Sequence, residues 1–207
     1  MEHFAITIGR SLGSGGRYVG KRLAEAFGAQ YFDKEILALA AKESGLCEAV
    51  FARKDEQKGF LRGVFGQFHT IWSGNDYYQG QLTDEALFRF QSDAIRKAAA
   101  AESCVFIGRC ADYVLRESSR LVSVFIAADA EDRMQRIMER LDCDENAARK
   151  LMEQGDRERA TFYNFYSDKE WGAASTYDLC INSSRLGLDA TAELVADFVR
   201  QRLEINR

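Results

Sequence analysis

The sequence predicts an α/β protein in which helices cover both faces of a parallel β-sheet. Short apolar runs typical of strands alternate along the chain with segments whose apolar residues recur at helical spacing, and this alternation is characteristic of parallel sheets. At 207 residues, 46% of them hydrophobic, the chain can bury a sizeable core within one domain. The predicted strands are residues 4–8, 30–32, 104–107, 121–127 and 177–181.

Helices between these strands are predicted from capping signals and apolar periodicity. Asp129 is placed to cap one helix, Asp142 with Glu145 resembles a capping box for the next, and Asp189 precedes the last. The first helix follows a glycine-rich segment. Apolar residues at helical spacing mark these helices: Val19, Leu23, Ala24 and Phe27; Met134, Ile137, Met138 and Leu141; Ala148, Leu151 and Met152; Leu194, Val195, Phe198 and Leu203.

Residues 40–84 interrupt the pattern with charges, glycines and aromatics that follow no clear period. An irregular insertion within a compact domain is often a lid or a substrate-binding loop. Its aromatic side chains could stack on a base, or they could pack the insertion onto the body or a second subunit; we favour packing. These side chains are Phe60, Phe65, Phe68, Trp72, Tyr77 and Tyr78.

The composition argues against several classes of function. A formal net charge of −4 is unlike the basic excess of general nucleic-acid-binding proteins. No stretch approaches the roughly 20 apolar residues that span a bilayer, and a signal-peptide pattern is missing, so we expect a cytoplasmic protein without a membrane partner. Two histidines leave little material for a zinc site or hydrolase triad. The five cysteines form no CxxC pair, and we expect Cys104 and Cys180 to be buried, reduced thiols.

The segment RSLGSGGRYVG, residues 10–20, lies between the first predicted strand and the first predicted helix. Glycines there allow backbone N–H groups to converge on an anion, as in phosphate-binding loops. The usual pattern is G-x-x-x-x-G-K-[ST]. This chain departs from it at three positions, because Arg10 replaces the first glycine, Gly16 the lysine and Arg17 the magnesium-binding hydroxyl.

Three segments of the chain resemble, in order, the cytidylate kinase-like family: ITIGRSLGSGGRYVGKRLAEAFGAQYFDKEIL, CVFIGRCADYVL and DLCINSS. This family is a divergent branch of the P-loop nucleoside monophosphate kinases, in which GSGGR commonly replaces the GSGKS of true cytidylate kinases. The resemblance implies a P-loop NTPase-type three-layer sandwich with a parallel five-stranded sheet. The implied single domain, 1–207, has a core of 1–39, 85–141 and 177–207, an acceptor-side insertion of about 40–84 and a helical lid of about 142–176.

The same resemblance implies a donor phosphate site in the glycine-rich loop. A guanidinium at Arg17 carries the charge of the missing lysine, with a longer reach and a bidentate fork, so Arg17 is its predicted replacement. The alternative is a glycine-rich turn with a solvated arginine. Magnesium usually keeps several waters, so water near Ser14 and Asp33 could take the place of the lost hydroxyl. The predicted donor-binding residues are Ser11, Gly13, Ser14, Gly15, Gly16 and Arg17.

Asp33 and Arg109 follow predicted strands, at the sheet edge where open α/β sheets bind ligands. Asp33 is predicted to orient the acceptor or to hold magnesium through water; a helix N-cap is its structural alternative. Arg109 resembles the arginine of the GRD motif of cytidylate kinases, which implies that it binds the acceptor's phosphate. Leu39 replaces an arginine of those enzymes, and this departure argues against CMP itself as the acceptor.

Arg157 and Arg159 lie in a segment, ARKLMEQGDRERATFYNFY, that resembles the lid of monophosphate kinases. Such lids close over the phosphates and exclude water. Gly155 is predicted to interrupt the lid helix. A solvated, salt-bridged helix face would have a similar sequence, because Asp156 and Glu158 are close by.

The sequence thus predicts a phosphotransferase that moves the γ-phosphoryl group of ATP or another NTP, with Mg²⁺, to a small acceptor, for example a nucleoside monophosphate such as CMP. The predicted catalytic residues are Arg17, Asp33, Arg157 and Arg159. The alternative is a nucleotide-binding regulatory or interaction protein without turnover, since the lysine and the hydroxyl are missing. A dinucleotide-dependent oxidoreductase ranks last because Tyr18 occupies the third glycine position of G-x-G-x-x-G. The acceptor, the preferred donor and a homo-oligomeric state stay open.

Overall fold

A computed structural model describes residues 3–33 and 84–205. The backbone divides into two compact units, one comprising Met1–Asp33 with Ile95–Arg207 and the other Lys34–Ala94. The predicted insertion at 40–84 lies outside the described residues, apart from Asp84 at the start of a helix. Apart from the first part of the helix that begins at Asp84, all features discussed below belong to the first unit.

The first unit contains a five-stranded parallel sheet, as predicted. Its order is β2-β3-β1-β4-β5, so β1 is central and lies between β3 and β4. The strands are β1 (Ala5–Arg10), β2 (Gln30–Phe32), β3 (Cys104–Ile107), β4 (Leu121–Ala127) and β5 (Leu179–Asn182). The three middle strands in sequence have their predicted bounds; β1 continues two residues further, to Arg10. Because all strands are parallel, their carboxyl ends meet at one edge.

Helices connect the strands: α1 (Gly16–Phe27), α2 (Asp84–Ala101), α3 (Ala111–Val114), α4 (Ala130–Leu141), α5 (Glu145–Ser167) and α6 (Leu188–Leu203). The predicted capping box at Asp142 is wrong, because Asp142 ends α4 in the left-handed conformation, at φ 50°. The cap of α5 is Asp144, whose carboxylate accepts a 2.7 Å hydrogen bond from the amide of Ala147. Gly187 takes the N-cap position of α6, and Asp189 lies in its first turn.

The core lies between the sheet and two helices. Alternate strand residues pack on α1 and α6, which is the two-residue period of a strand. The fully or nearly fully buried members of this cluster include Ile6, Ile8, Val105, Ile107, Val124 and Ile126 from the strands, Val19 and Leu23 from α1, and Val195 and Val199 from α6. A smaller cluster joins Met134 and Ile137 of α4 to Ala148 and Met152 of α5. This second cluster fixes α5 beside the loop that follows β1, since Leu12 packs against it.

Two expectations from composition can be compared with the structure. Cys104 is buried in β3, and burial raises the pKa of its thiol to about 12. The expectation of burial is wrong for Cys180, which is exposed because it lies on the edge strand β5. Within 3–33 and 84–205, none of the helices is both long and apolar enough to cross a membrane.

Candidate functional site

The loop between β1 and α1 needs glycine at two positions. Gly13 and Gly15 have φ values of 82° and 83°, in the left-handed region that other residues adopt at a cost. Space is also restricted, since a Cβ on Gly13 would lie 2.6 Å from the carbonyl oxygen of Arg133 and one on Gly15 would lie 2.2 Å from a methyl carbon of Leu188. These glycines give the loop its path between α4 and α6.

Buried hydroxyl groups brace this loop from inside. Ser14 is fully buried, and its hydroxyl donates a 2.9 Å hydrogen bond to the carbonyl oxygen of Ser11. The hydroxyl of Ser183, directly after β5, donates a 2.8 Å hydrogen bond to the carbonyl oxygen of Ser14. The Ser14 hydroxyl therefore faces the loop's own backbone, which leaves its predicted contact with magnesium without geometric support.

The amides of the loop divide into two groups. Those of Ser11 and Leu12 are engaged, by the carbonyl oxygen of Ile126 at 3.1 Å and by the Asp156 carboxylate at 2.7 Å. The amides of Gly13, Gly15 and Gly16 donate to no acceptor within the part of the chain that the structure describes. These donors stand at the N-terminus of α1, where the helix dipole also favours an anion.

Four arginines lie close to one another and to a carboxylate beside the loop, and we call Arg10, Arg17, Arg109 and Arg159 the arginine cluster. They come from β1, α1, the turn after β3 and α5, and the carboxylate is that of Asp33, directly after β2. Arg17 Nε lies 2.7 Å from Asp33 Oδ2. Burial, followed by the charge of Arg159, lowers the pKa of Arg10 to about 9. Burial also lowers the pKa of Arg109 and of Arg159, and Arg17 adds to both shifts.

An unusual backbone turn carries Arg109 to this cluster. Gly108, Arg109 and Cys110 all have left-handed conformations, with φ values of 69°, 63° and 52°. Non-glycine residues seldom adopt this region, and such strain often marks a functional site. The turn is held by hydrogen bonds from the amide of Gly108 to the carbonyl oxygen of Ile8 (2.9 Å) and from the amide of Ala111 to that of Gly108 (3.2 Å).

Helix α5 contributes Arg159 to the cluster and Asp156 to the loop. Asp156 also forms ion pairs with Arg133 and with Arg159, the latter at 3.4 Å. The predicted interruption at Gly155 is wrong, because α5 is continuous from Glu145 to Ser167. Glycine serves close packing instead, since a Cβ on Gly155 would lie 3.0 Å from a methyl carbon of Leu12.

The structure brings four of the predicted site residues together: Arg17, Asp33, Arg109 and Arg159. Arg157 is exposed on α5, because residues two apart on a helix point in nearly opposite directions; its predicted clamp role has no support from this geometry. Sequence reasoning missed Arg10 as a site residue. Its position at the carboxyl end of a strand, the signal that identified Arg109, could have identified it.

Sequence comparison agrees with the fold. The chain matches the model of the cytidylate kinase-like family over residues 5–185. An uncharacterized protein from Eubacterium ventriosum ATCC 27560, of known structure, is 29% identical and superposes with a TM-score of 0.72, covering 95% of this chain and 98% of that one. No curated protein matches the chain's sequence.

More distant solved structures share the architecture. Shikimate kinase from Bacteroides thetaiotaomicron is 11% identical, with a TM-score of 0.55 and coverage of 95% of this chain and 98% of that one. A gluconokinase from Sinorhizobium meliloti 1021 is 14% identical, with a TM-score of 0.56 and coverage of 98% and 95%. These likenesses confirm the predicted P-loop kinase fold. With the family match over most of its length, the chain belongs to the cytidylate kinase-like family.

Proposed function

We propose that the protein is a nucleotide-binding phosphotransferase that moves the γ-phosphoryl group of ATP or another NTP to a small acceptor. The observation that carries this proposal is the charge imbalance at the site. Among the described residues, four guanidinium groups gather with the two carboxylates of Asp33 and Asp156, beside loop amides that have no acceptor there. Excess positive charge in a partly desolvated cleft favours a ligand with several negative charges, and phosphates are such ligands.

The roles of the site residues follow from the elements that carry them. The loop from Gly13 to Arg17 would bind the donor's phosphates through its free amides and the N-terminus of α1. Arg109, at the end of β3, would bind the acceptor, and Arg159 of α5 would cover the transferring group. Asp33 would orient the acceptor. Phosphoryl transfer depends on positioning and charge stabilisation, which this arrangement can supply.

In the proposed reaction, an acceptor oxygen attacks the γ-phosphorus and forms a new P–O bond. The bond from the γ-phosphorus to the bridging oxygen breaks, and the nucleoside diphosphate leaves with that electron pair. A phosphate acceptor such as CMP attacks through an oxygen that carries no proton. A hydroxyl acceptor would pass its proton to a carboxylate, and Asp33 is placed for that task.

Magnesium does not fit the described residues as a protein-held metal. Ser14 turns inward, Arg17 stands in the usual hydroxyl position, and one oxygen of Asp33 contacts Arg17. Groups of three or more His, Cys, Asp or Glu side chains suited to a metal are missing within 3–33 and 84–205. Mg²⁺ would have to arrive with the nucleotide's phosphates, as it often does, and we assign no step to it.

A second candidate function, nucleotide binding without turnover, is favoured by the ion pair between Arg17 and Asp33. This pair ties the predicted lysine replacement to the predicted acceptor-orienting group. A protein that only senses nucleotides needs the loop and the cluster but not a free Asp33. Turnover distinguishes the two candidates.

The test is phosphoryl transfer by the purified protein, followed by phosphorus-31 NMR. ATP would be mixed with nucleoside monophosphates and with small hydroxylated acids, with and without Mg²⁺, and a new phosphorylated product is expected with at least one acceptor. Arg159→Ala should reduce the rate at least tenfold. Arg149→Ala is the matched control on the same helix, because Arg149 is half-exposed and pairs only with Glu145 among described residues, at 2.8 Å. Binding of ATP without any product would favour the sensor; failure to bind any nucleotide would contradict both.

A further inference from the structure

Arg10 takes an unusual path across the site. From the carboxyl end of β1 its side chain passes over Gly16 and extends to Gly108 at the end of β3. A Cβ on Gly16 would lie 2.6 Å from the Cβ of Arg10, and a Cβ on Gly108 would lie 2.1 Å from its Nη1. Side chains at positions 16 and 108 are therefore incompatible with this path. Two glycines make room for one arginine.

The guanidinium of Arg10 also stands apart electrostatically. Within the described residues it makes no hydrogen bond or ion pair, whereas Arg17 contacts Asp33 directly and Arg159 contacts Asp156. Arg10 experiences the charges of the other three arginines of the cluster and of Asp33, and the repulsive contributions outnumber the attractive one. A partly buried cation in this position raises the free energy of the unliganded protein, and a bound anion would relieve that cost.

The phosphate-loop pattern fixes the residue type at the positions that correspond to 10 and 16 of this chain. The pattern has glycine at the first and lysine at the second, and this chain has arginine at the first and glycine at the second. The packing explains why the two changes occur together, because a Cβ at position 16 needs the space that the Arg10 stem fills. Only one of the two positions can carry the cation.

We propose that Arg10 is the phosphate-binding cation of this site, and that Arg10 and Gly16 are an exchanged form of the glycine and lysine of the usual loop. The inference rests on the proposed function and refines it, since it moves the lysine's role from Arg17 to Arg10. Arg17 then holds Asp33 and the end of β2 against α1. The bidentate fork of Arg10 suits two oxygens of one phosphate, or one oxygen from each of two phosphates.

The test uses inorganic tripolyphosphate as the probe, titrated by calorimetry into the full chain. Arg10→Gly should weaken its binding at least tenfold. Gly16→Lys alone should also weaken binding and lower the melting temperature, because of the steric conflict with Arg10. The double variant Arg10→Gly with Gly16→Lys restores the usual pattern, and we expect its affinity to return to within about threefold of the native value, which is a coupling that independent sites would not show.

A purely structural role would give different results. If Arg10 only supported the fold, Arg10→Gly would lower the melting temperature and leave binding by the folded fraction unchanged. We expect the melting temperature to rise, because the substitution removes a cation that the other three arginines repel, and we expect binding to weaken. Arg10→Met, which keeps most of the side-chain volume, should lose affinity as Arg10→Gly does and covers the case in which the glycine variant does not fold. Arg149→Ala should bind like the native protein.

The outcomes separate this inference from the proposed function. Native affinity in Arg10→Gly, together with loss of affinity in Arg17→Ala, would overturn the inference and leave the phosphotransferase proposal intact. A double variant that binds no better than Arg10→Gly would overturn the exchange. A native protein that binds neither tripolyphosphate nor ATP would contradict the proposed function, and the inference with it.

Discussion

The two sides of the sheet's carboxyl edge differ in how their charged side chains are paired. On the side of β4 and β5, the Asp129 carboxylate accepts a 2.8 Å hydrogen bond from Asn182 and lies 3.2 Å from an Arg185 nitrogen, while its amide donates to Ser184. On the side of β2, β3 and β1, the four cations of the arginine cluster have two carboxylates among the described residues, Asp33 beside Arg17 and Asp156 beside Arg159. The Asp129 carboxylate is paired within its own side, whereas the described part of the arginine cluster carries an excess of positive charge.

The contrast is between charged groups that are paired within the described residues and a cluster with an excess of positive charge. In the balanced network each charged group has an opposite partner at hydrogen-bond or ion-pair distance, so a ligand would have to break existing contacts. In the arginine cluster like charges are held together by the fold at a cost, and a polyanion lowers that cost. Substitutions in the arginine cluster should therefore change the affinity for anions, whereas substitutions around Asp129 should leave that affinity nearly unchanged.

The largest effect is expected for Arg109→Ala. Removing a charge-assisted contact to a phosphate costs about 1.5–3 kcal/mol, so affinity for the acceptor's phosphate should fall roughly 10- to 150-fold. Arg185→Ala, an exposed arginine on the balanced side, is the control and should change affinity less than twofold. Titration of phosphorylated acceptors into both variants measures the difference. Equal losses would remove the distinction between the two sides.

Asp33→Asn tests the imbalance from the opposite direction. Removing the Asp33 charge should strengthen tripolyphosphate binding by several-fold, since its ion pair with the partly exposed Arg17 contributes up to about 1 kcal/mol and the lost negative charge no longer repels the ligand. Turnover should fall if Asp33 orients the acceptor. Calorimetry and rate measurements on one preparation give both values. Weaker tripolyphosphate binding would contradict the charge argument.

Asp156→Ala should lower stability. Its carboxylate joins the Leu12 amide to Arg133 and Arg159, so the substitution leaves partly buried donors without their acceptor and should cost about 1–3 kcal/mol of unfolding free energy. Glu153→Ala, an exposed acid on the same helix, is the control. Urea unfolding followed by circular dichroism measures both. A stability equal to that of the control would mean that α5 and the loop are not coupled through Asp156.

The smallest effect, and a pH-dependent one, is expected at Asp112 in α3. Burial raises the pKa of this carboxyl, which accepts a hydrogen bond from Tyr163 of α5. The folded protein therefore binds this proton more tightly than the unfolded chain, and stability falls as pH rises through that window. Asp112→Asn removes the cost, so its gain in melting temperature should be largest at pH 7 and shrink as pH falls toward 4. A gain independent of pH would contradict this assignment.

Much of the fold could be predicted because it depends on local patterns. Apolar runs bounded by polar residues located the strands, and three of them, 30–32, 104–107 and 121–127, have their predicted bounds. Helix caps were harder to predict. Asp142 and Asp144 are the same residue type two positions apart, and which of them caps α5 depends on where α4 ends. Cys180 was mistaken for a core residue since the strand order, which makes β5 an edge, is not a local property.

In the candidate site, the proximity of Asp33 and Arg109 could be predicted, because both follow strands of one parallel sheet. The contact of Asp156 with the Leu12 amide could not be predicted, because it joins residues 144 positions apart in sequence. Arg10 was first interpreted as a missing glycine rather than as a group with its own path. The path of the Arg10 side chain requires glycine at both 16 and 108, and this requirement cannot be read from any one position of the sequence.

Gly108 illustrates how narrow the tolerance of this turn must be. A side chain there would be disfavoured twice, once by the φ of 69° and once by collision with the guanidinium of Arg10. Shortening Arg10 would remove the collision but not the torsional penalty, so a saturation library at position 108 should favour glycine among folded clones, even in an Arg10→Gly background. Any redesign around the arginine cluster would therefore have to keep glycine at this turn and vary the residues beside it.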